Sequence, residues 1–116
     1  MKFDIEYLNH IKDEIDFLNL KSKTLNRNDF LSDETTKRAF VRSIEIIGEA
    51  ATKISDPFKN KYPEIEWKKL SATRNRLIHG YFVVDYEIVW DLVTNKIPTL
   101  EIQIVVIFEK ERTLFD

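Results

Sequence analysis

The sequence predicts an all-α fold, an antiparallel up-and-down bundle of four to five helices. Three observations predict it. Apolar residues recur at steps of three and four over long stretches. Only two Gly and three Pro punctuate 116 residues, too few for an all-β chain that turns every ~8–12 residues. Eight Phe, four Tyr and two Trp supply bulky side chains for a core, which disfavours disorder. The length suits one domain, expected to span residues 1–116.

Ile5, Leu8, Ile11, Ile15 and Leu18 form one helical face, so the first helix is expected over about 2–23. A polar stretch, 21–28, makes the turn. Ser32-Asp33-Glu34-Thr35 reads as a helix start, with a short capping side chain and acids in the first turn. Phe40, Ile44, Ile47, Ala51 and Ile54 then define a second helix over about 33–54, at a spacing suited to bundle packing. Arg38, Arg42, Glu45 and Glu49 line its polar side, a solvated stripe with weak internal ion pairs.

Pro57 disfavours helical geometry at Asp56 and ends that helix. Residues 57–65 read as a connector that has room for one helical turn. A third helix is expected over 65–79, with Ile65, Leu70, Leu77 and Ile78 apolar and Gly80 as its stop. Asp85 can cap a fourth, with Ile88, Val89, Leu92 and Val93 inward, which Pro98 should kink or break near Lys96. The last segment reads two ways. Ile102, Ile104, Val106 and Phe108 alternate like a strand, whereas Leu100, Ile104, Ile107, Glu111 and Leu114 step like a helix. A lone apolar edge strand would invite aggregation, so helix is expected over about 98–113.

Eighteen basic and twenty acidic residues give a net charge of −2. That is not the charge of a protein that coats nucleic acid nonspecifically. The basic residues are unevenly spread. Lys59, Lys61, Lys68, Lys69, Arg74 and Arg76 lie in one segment that holds only two acids, Glu64 and Glu66. A polyanion would meet the chain there. With no Cys, disulfides, cysteine nucleophiles and thiolate metal sites are excluded, which fits a reducing cytosol. No apolar run approaches the ~18 residues of a membrane span, and MKFDIEYLNH lacks the pattern of a signal peptide. A cytoplasmic location is therefore expected.

The chemistry-bearing stretch is Arg74-Asn75-Arg76-Leu77-Ile78-His79-Gly80-Tyr81. Arg supplies a permanent charge and a planar fork of donors that suits phosphate. His can give or take a proton near neutrality. Together they can cut RNA without a metal. The imidazole takes the 2′-hydroxyl proton or protonates the leaving oxygen, and the guanidinium stabilises charge on the phosphoryl oxygens. Residues five apart lie about 140° apart around an ideal helix. A compact site therefore needs a helix that ends near His79 or a second copy of the motif from a dimer partner. Elsewhere the signals are thin. His10 and Glu14 form a histidine–carboxylate pair at helical ligand spacing, of a kind common by chance. Ser43 and Ser71 have no His at a motif spacing, there is no Gly-rich phosphate loop, and Trp67 and Trp90 read as core or interface anchors.

Residues 44–100 resemble the HepT-like ribonuclease toxins of the HEPN superfamily. The resemblance rests on Ile44-Glu45-Ile46-Ile47-Gly48-Glu49-Ala50, on Tyr62-Pro63-Glu64-Ile65 with Trp67, and on Arg74-Asn75 through His79-Gly80-Tyr81. Val84-Asp85 with Val89-Trp90, and then Ile97-Pro98, complete it. The order and spacing match over about half the chain.

The resemblance implies a single HEPN-type helical domain that forms a two-fold homodimer, with two motifs facing each other across a cleft. It implies metal-independent RNA cleavage with no cofactor, Arg74 and His79 catalytic, and Asn75 supporting the arginine. It also implies a partner, a minimal nucleotidyltransferase antitoxin that transfers AMP from ATP onto Tyr81 and silences the toxin, in a homodimer or a higher hetero-oligomer. The rival reading keeps the fold and drops the catalysis: a helical adaptor that docks the nucleotidyltransferase and is modified by it.

Overall fold

The computed structural model describes residues 2–79 and 83–115, with the backbone alone at 2, 74, 76–79 and 113–115. In chain order the elements are α1 (Lys2–Ser22), α2 (Arg27–Ser32), α3 (Glu34–Lys53), α4 (Asp56–Lys61) and α5 (Trp67–Leu77). A hairpin of two-residue strands follows, β1 (Ile78–His79) and β2 (Val83–Val84). Then come α6 (Tyr86–Asp91), a π-helical turn (Leu92–Lys96) and α7 (Ile97–Phe115). The bundle expected from the sequence is present, with four long or composite helical segments and two short helices.

The α1 face Leu8, Ile11, Ile15 and Leu18 is fully buried against Phe40, Ile44, Ile47 and Ala51 of α3. The two helices run antiparallel, since Asp4 near the start of α1 meets Ser55 just past α3. The buried Asp4 carboxylate accepts the Ser55 backbone N–H at 2.7 Å and its hydroxyl at 2.8 Å. α5 packs on the other flank of α3, and α7 packs beside α1. The molecule measures 47 × 30 × 19 Å, and its thinnest dimension is that of two helix layers of ~10 Å each.

The caps explain most boundaries. Asp33 accepts the Thr36 N–H at 3.1 Å and starts α3. Ser55 caps α4, where Pro57 sits harmlessly in the first turn. Asp85 accepts the Glu87 and Ile88 N–H groups and starts α6.

Three expectations need correction, and a fourth holds. The polar stretch before residue 33 holds an extra helix, α2, because Asn26 caps it and Phe30 is fully buried against Phe40 and Trp90. The connector after Pro57 carries a short helix as expected, α4, which buries Phe58. The third helix is shorter than 65–79: Ile65 is buried ahead of it, and β1 follows Leu77. The Gly80 stop lies outside the described residues. Finally, Pro98 does not break the chain's helical course. The Ile97 N–H bonds back to the Leu92 carbonyl, five residues away. This wider turn adjusts the backbone bonding ahead of a residue that has no N–H to donate. The last segment is helical, with Leu100, Ile104, Ile107 and Glu111 buried and Ile102 and Val106 outward.

Candidate functional site

The candidate motif hangs from α5, and both flanks of that helix are tied down. At its start, the buried Trp67 donates from Nε1 to the Tyr62 carbonyl at 3.0 Å. The Tyr62 hydroxyl in turn donates to the buried Glu111 carboxylate of α7, which also accepts from Lys61 Nζ at 2.8 Å. Burial and the neighbouring Glu111 carboxylate push the Tyr62 phenol well above its usual range. Burial pulls Glu111 upward too, but the hydrogen bonds from Lys61 and Tyr62 outweigh it and leave its carboxyl below the usual value. Along its length α5 lies against Gly48 of α3. A Cβ there would stand 3.1 Å from the Leu70 carbonyl oxygen, so glycine permits this close approach.

At the far end α5 stops at Leu77, and the chain passes into the hairpin, with Ile78 opposite Val84 and His79 opposite Val83. Arg74 and Asn75 belong to the last turn of α5, and Asn75 is exposed. His79 lies two residues past the helix, in β1. The 140° separation of an ideal helix therefore does not govern this pair, and the first of the two conditions raised by the sequence, a helix that ends near His79, is met. Tyr81, between the strands, lies outside the described residues.

The other sequence signals resolve plainly. His10 is exposed, edge-on to the Tyr7 ring. Among the described residues no three His, Asp or Glu gather as a metal site. Trp67 is a core anchor, and half-buried Trp90 stacks on Phe30 with ring centroids 5.2 Å apart. The basic segment is less free than its count suggests, because Lys61 pairs with Glu111 and Lys69 with Glu66 at 2.6 Å. On the α3 stripe, Arg42 and Glu45 are 4.0 Å apart. No described helix is long and apolar enough to cross a membrane.

One feature escaped the sequence reading. The bundle is closed along α1–α3, α3–α5 and α1–α7, while α5 and α7 make little direct contact. Between them lies a groove of about 350 Å³, floored by Ile44, Ile47, Leu70 and Leu100 and edged by side chains of α5, α7 and the π-helical turn. Its rim residues come from segments up to forty positions apart, so no spacing in the sequence marks them.

The chain matches the family model described as Ribonuclease HepT-like over residues 6–107. It is 42% identical over 112 residues to a protein provisionally named RNase TTE0752 from Caldanaerobacter subterraneus subsp. tengcongensis, covering 97% of this chain and 100% of that one. A second provisionally named protein, RNase MJ0127 of Methanocaldococcus jannaschii, is 44% identical over 96 residues, 83% of this chain and 76% of its own. The Probable ribonuclease HepT of Thermococcus cleftensis is 38% identical over 96 residues, 83% and 87% of the two chains. No solved structure matches.

Proposed function

The chain belongs to the ribonuclease HepT-like family, and from that premise we propose a toxic endoribonuclease that cuts RNA without a metal, as one domain over residues 1–116 working as a homodimer in the cytoplasm. The observation that carries this reading is the local geometry of the motif. Arg74 lies in the last turn of a helix anchored at its other end, and His79 stands two residues past that helix in a strand paired with Val83.

In the proposed reaction the substrate's 2′-hydroxyl attacks the adjacent phosphorus. The new O–P bond closes a 2′,3′-cyclic phosphate, and the bond to the 5′-oxygen breaks. One His79 imidazole takes the 2′-hydroxyl proton, and the imidazole of the second copy gives a proton to the leaving 5′-oxygen. Arg74 stabilises the charge that builds on the phosphoryl oxygens, and Asn75 holds the guanidinium in place. Control lies with a minimal nucleotidyltransferase antitoxin. The Tyr81 phenol, with an ordinary pKa of about 10, attacks the α-phosphorus of ATP with help from that enzyme's base. Pyrophosphate leaves, and O-AMP-tyrosine remains. The tethered AMP occupies the cleft at an effective concentration that reaches millimolar.

The test is RNA cleavage in EDTA, with the product ends identified. Wild type should cut and leave a cyclic phosphate or its hydrolysis product. Activity that vanishes on chelation and returns with Mg²⁺ overturns metal independence. Tyr81→Phe should keep the cleavage and escape silencing by the partner with ATP. A wild type that accepts AMP and never cuts RNA returns the adaptor reading.

A further inference from the structure

The open seam between α5 and α7 is a cavity that the proposed chemistry does not use. Its volume, about 350 Å³, falls at the small end of the roughly 300–1,000 Å³ of ligand pockets. Its floor is aliphatic. Its rim mixes acceptors with two lysines, Lys69 and Lys96. From the π-helical side come Asp91 and Asn95, whose Nδ2 donates to Asp91 Oδ1 at 2.6 Å. From α7 comes Gln103, whose Nε2 donates to the Glu64 carbonyl at 3.0 Å and closes one end of the seam. In each amide one N–H is taken by the protein, and the carbonyl oxygen can accept from a ligand. Glu66 adds a carboxylate, paired with Lys69.

These features select among ligands. The rim carries three carboxylates, Glu64, Glu66 and Asp91, beside two cations, Lys69 and Lys96, so its net charge is small and it is no phosphate cradle. An aliphatic floor accepts the face of a flat ring. Carboxylate and amide oxygens accept hydrogen bonds from exocyclic amines, which adenine, cytosine and guanine carry and uracil lacks. Position supports the same choice. Leu70 and Thr73 of α5 line the groove, and Arg74 is the next residue along the same helix. The groove and the motif thus share one helix, and the proposal places them on one bound strand.

We propose that the α5–α7 groove is a nucleobase subsite, in which an amino-bearing base of the RNA, adjacent to the cleaved bond, lies on the Leu70–Leu100 floor and donates to Asp91, Asn95 and Gln103. The proposal rests on the ribonuclease reading for its substrate. It adds a determinant of where the RNA is cut. A helical turn of π form, common at functional sites, supplies one wall.

The experiment has two arms. In the first, the full chain labelled with ¹⁵N is titrated with adenosine, cytidine, guanosine and uridine, and with spermidine as a cationic control. Amide shifts should move at 69–73, 91–96 and 100–103. At least one amino-bearing nucleoside should bind ~5-fold or more tightly than uridine, the discrimination expected of a specific base-edge contact. In the second, Asn95→Trp, an exposed helical position that fills the groove without touching the core, is compared with wild type on RNAs that vary one base beside the cut. The variant should raise KM for the preferred base about 10-fold and flatten the preference, while its thermal midpoint stays within a few degrees. Shifts with spermidine alone, or an unchanged base preference in a folded Asn95→Trp, overturn the subsite. A wild type that binds nucleosides in the groove and cuts no RNA supports the subsite and removes the ribonuclease reading instead.

Discussion

The two ends of α5 are built on opposite plans. At its start the buried polar side chains are linked in series: Trp67 with the Tyr62 carbonyl, Tyr62 with Glu111, and Glu111 with Lys61. Among the described residues no buried side-chain polar atom lacks a partner. At its finish Asn75 is exposed, Val83 of the facing strand is 63% exposed, and the chain reverses through a two-residue ladder. A cation and an aromatic serve in the clamp at one end and in the candidate chemistry at the other, and the carboxylate of Glu111 belongs to the clamp alone. What differs is satisfaction. A group whose hydrogen bonds are all met inside the fold holds position, whereas a group at a solvent-facing end is available to a ligand. A site needs both, because reactive groups work only when rigid elements hold them.

Substitutions at the two ends should therefore separate activity from stability. The largest effect is expected at the finish. Arg74→Ala or His79→Ala should lower RNA cleavage by at least ~10²-fold, the scale of losing an oxyanion donor or a proton-transfer group, with little change in the urea midpoint. Cleavage assays paired with equilibrium unfolding check this. Equal losses of activity and stability would erase the contrast between the ends.

At the start of α5 the order reverses. Glu111→Ala strands the Tyr62 hydroxyl and should cost about 1–3 kcal/mol of stability, while the folded fraction keeps its specific activity. Glu111 also sets a pH dependence whose sign follows from its lowered pKa. The contribution is complete above the unfolded value of about 4.3 and is lost as the pH falls through the lower folded value. Tyr62 acts on the alkaline side. Its phenol is raised in the fold, so stability holds below pH ~10 and declines above it, where the unfolded chain ionises first. Glu111→Gln should flatten the acid arm, and Tyr62→Phe the alkaline one, in unfolding curves taken from pH 3 to 11.

Between the ends, Gly48 sets how closely α5 lies on α3. Gly48→Ala must displace the Leu70 carbonyl by a few tenths of an ångström, and the roughly 1 kcal/mol of overpacking is offset by about 1 kcal/mol of helix propensity gained inside α3, so the net change in stability should be small. Because α5 carries Arg74, cleavage should fall by up to ~10-fold all the same, since sub-ångström misplacement of reacting groups is expensive in rate. Unchanged activity in a folded Gly48→Ala would show that the hairpin, not α5, positions the chemistry.

How much of this was legible in the sequence follows the range of each interaction. The faces of α1 and α3 were readable because Leu8, Ile11, Ile15, Leu18 and Phe40, Ile44, Ile47, Ala51 obey one local period. Even Glu111 stepped with the buried face of α7. Caps were readable at Asp33 and Asp85, where one side chain serves its own next turn. The shortfall lay where a distant partner decides. Phe30 makes α2 worthwhile only because Phe40 and Trp90 receive its ring. The end of α5 at Leu77 depends on Val83 and Val84 returning to pair. The groove depends on α5 and α7, thirty residues apart, failing to close. Arg74, Asn75 and His79 were found as residue types in order, and their relation to one another changed once the helix proved shorter.

The smallest effect is expected on the α3 stripe, which serves as the baseline for both ends of α5. Arg42 and Glu45 lie 4.0 Å apart with side chains 66% and 30% exposed. At that exposure Coulomb attraction is screened, and holding two long side chains together costs rotamer freedom. A double-mutant cycle of Arg42→Ala and Glu45→Ala should therefore give a coupling of about 0.3–0.5 kcal/mol. The coupling should shrink further in 1 M NaCl, where the Debye length is about 3 Å. RNA cleavage should be unaffected by either substitution, because the stripe lies outside the motif and the groove. A coupling above about 1 kcal/mol that survives high salt would mean that the pair is shielded from water. The stripe would then be a covered surface in solution, and the contrast between a satisfied clamp and an open working end would need a third region.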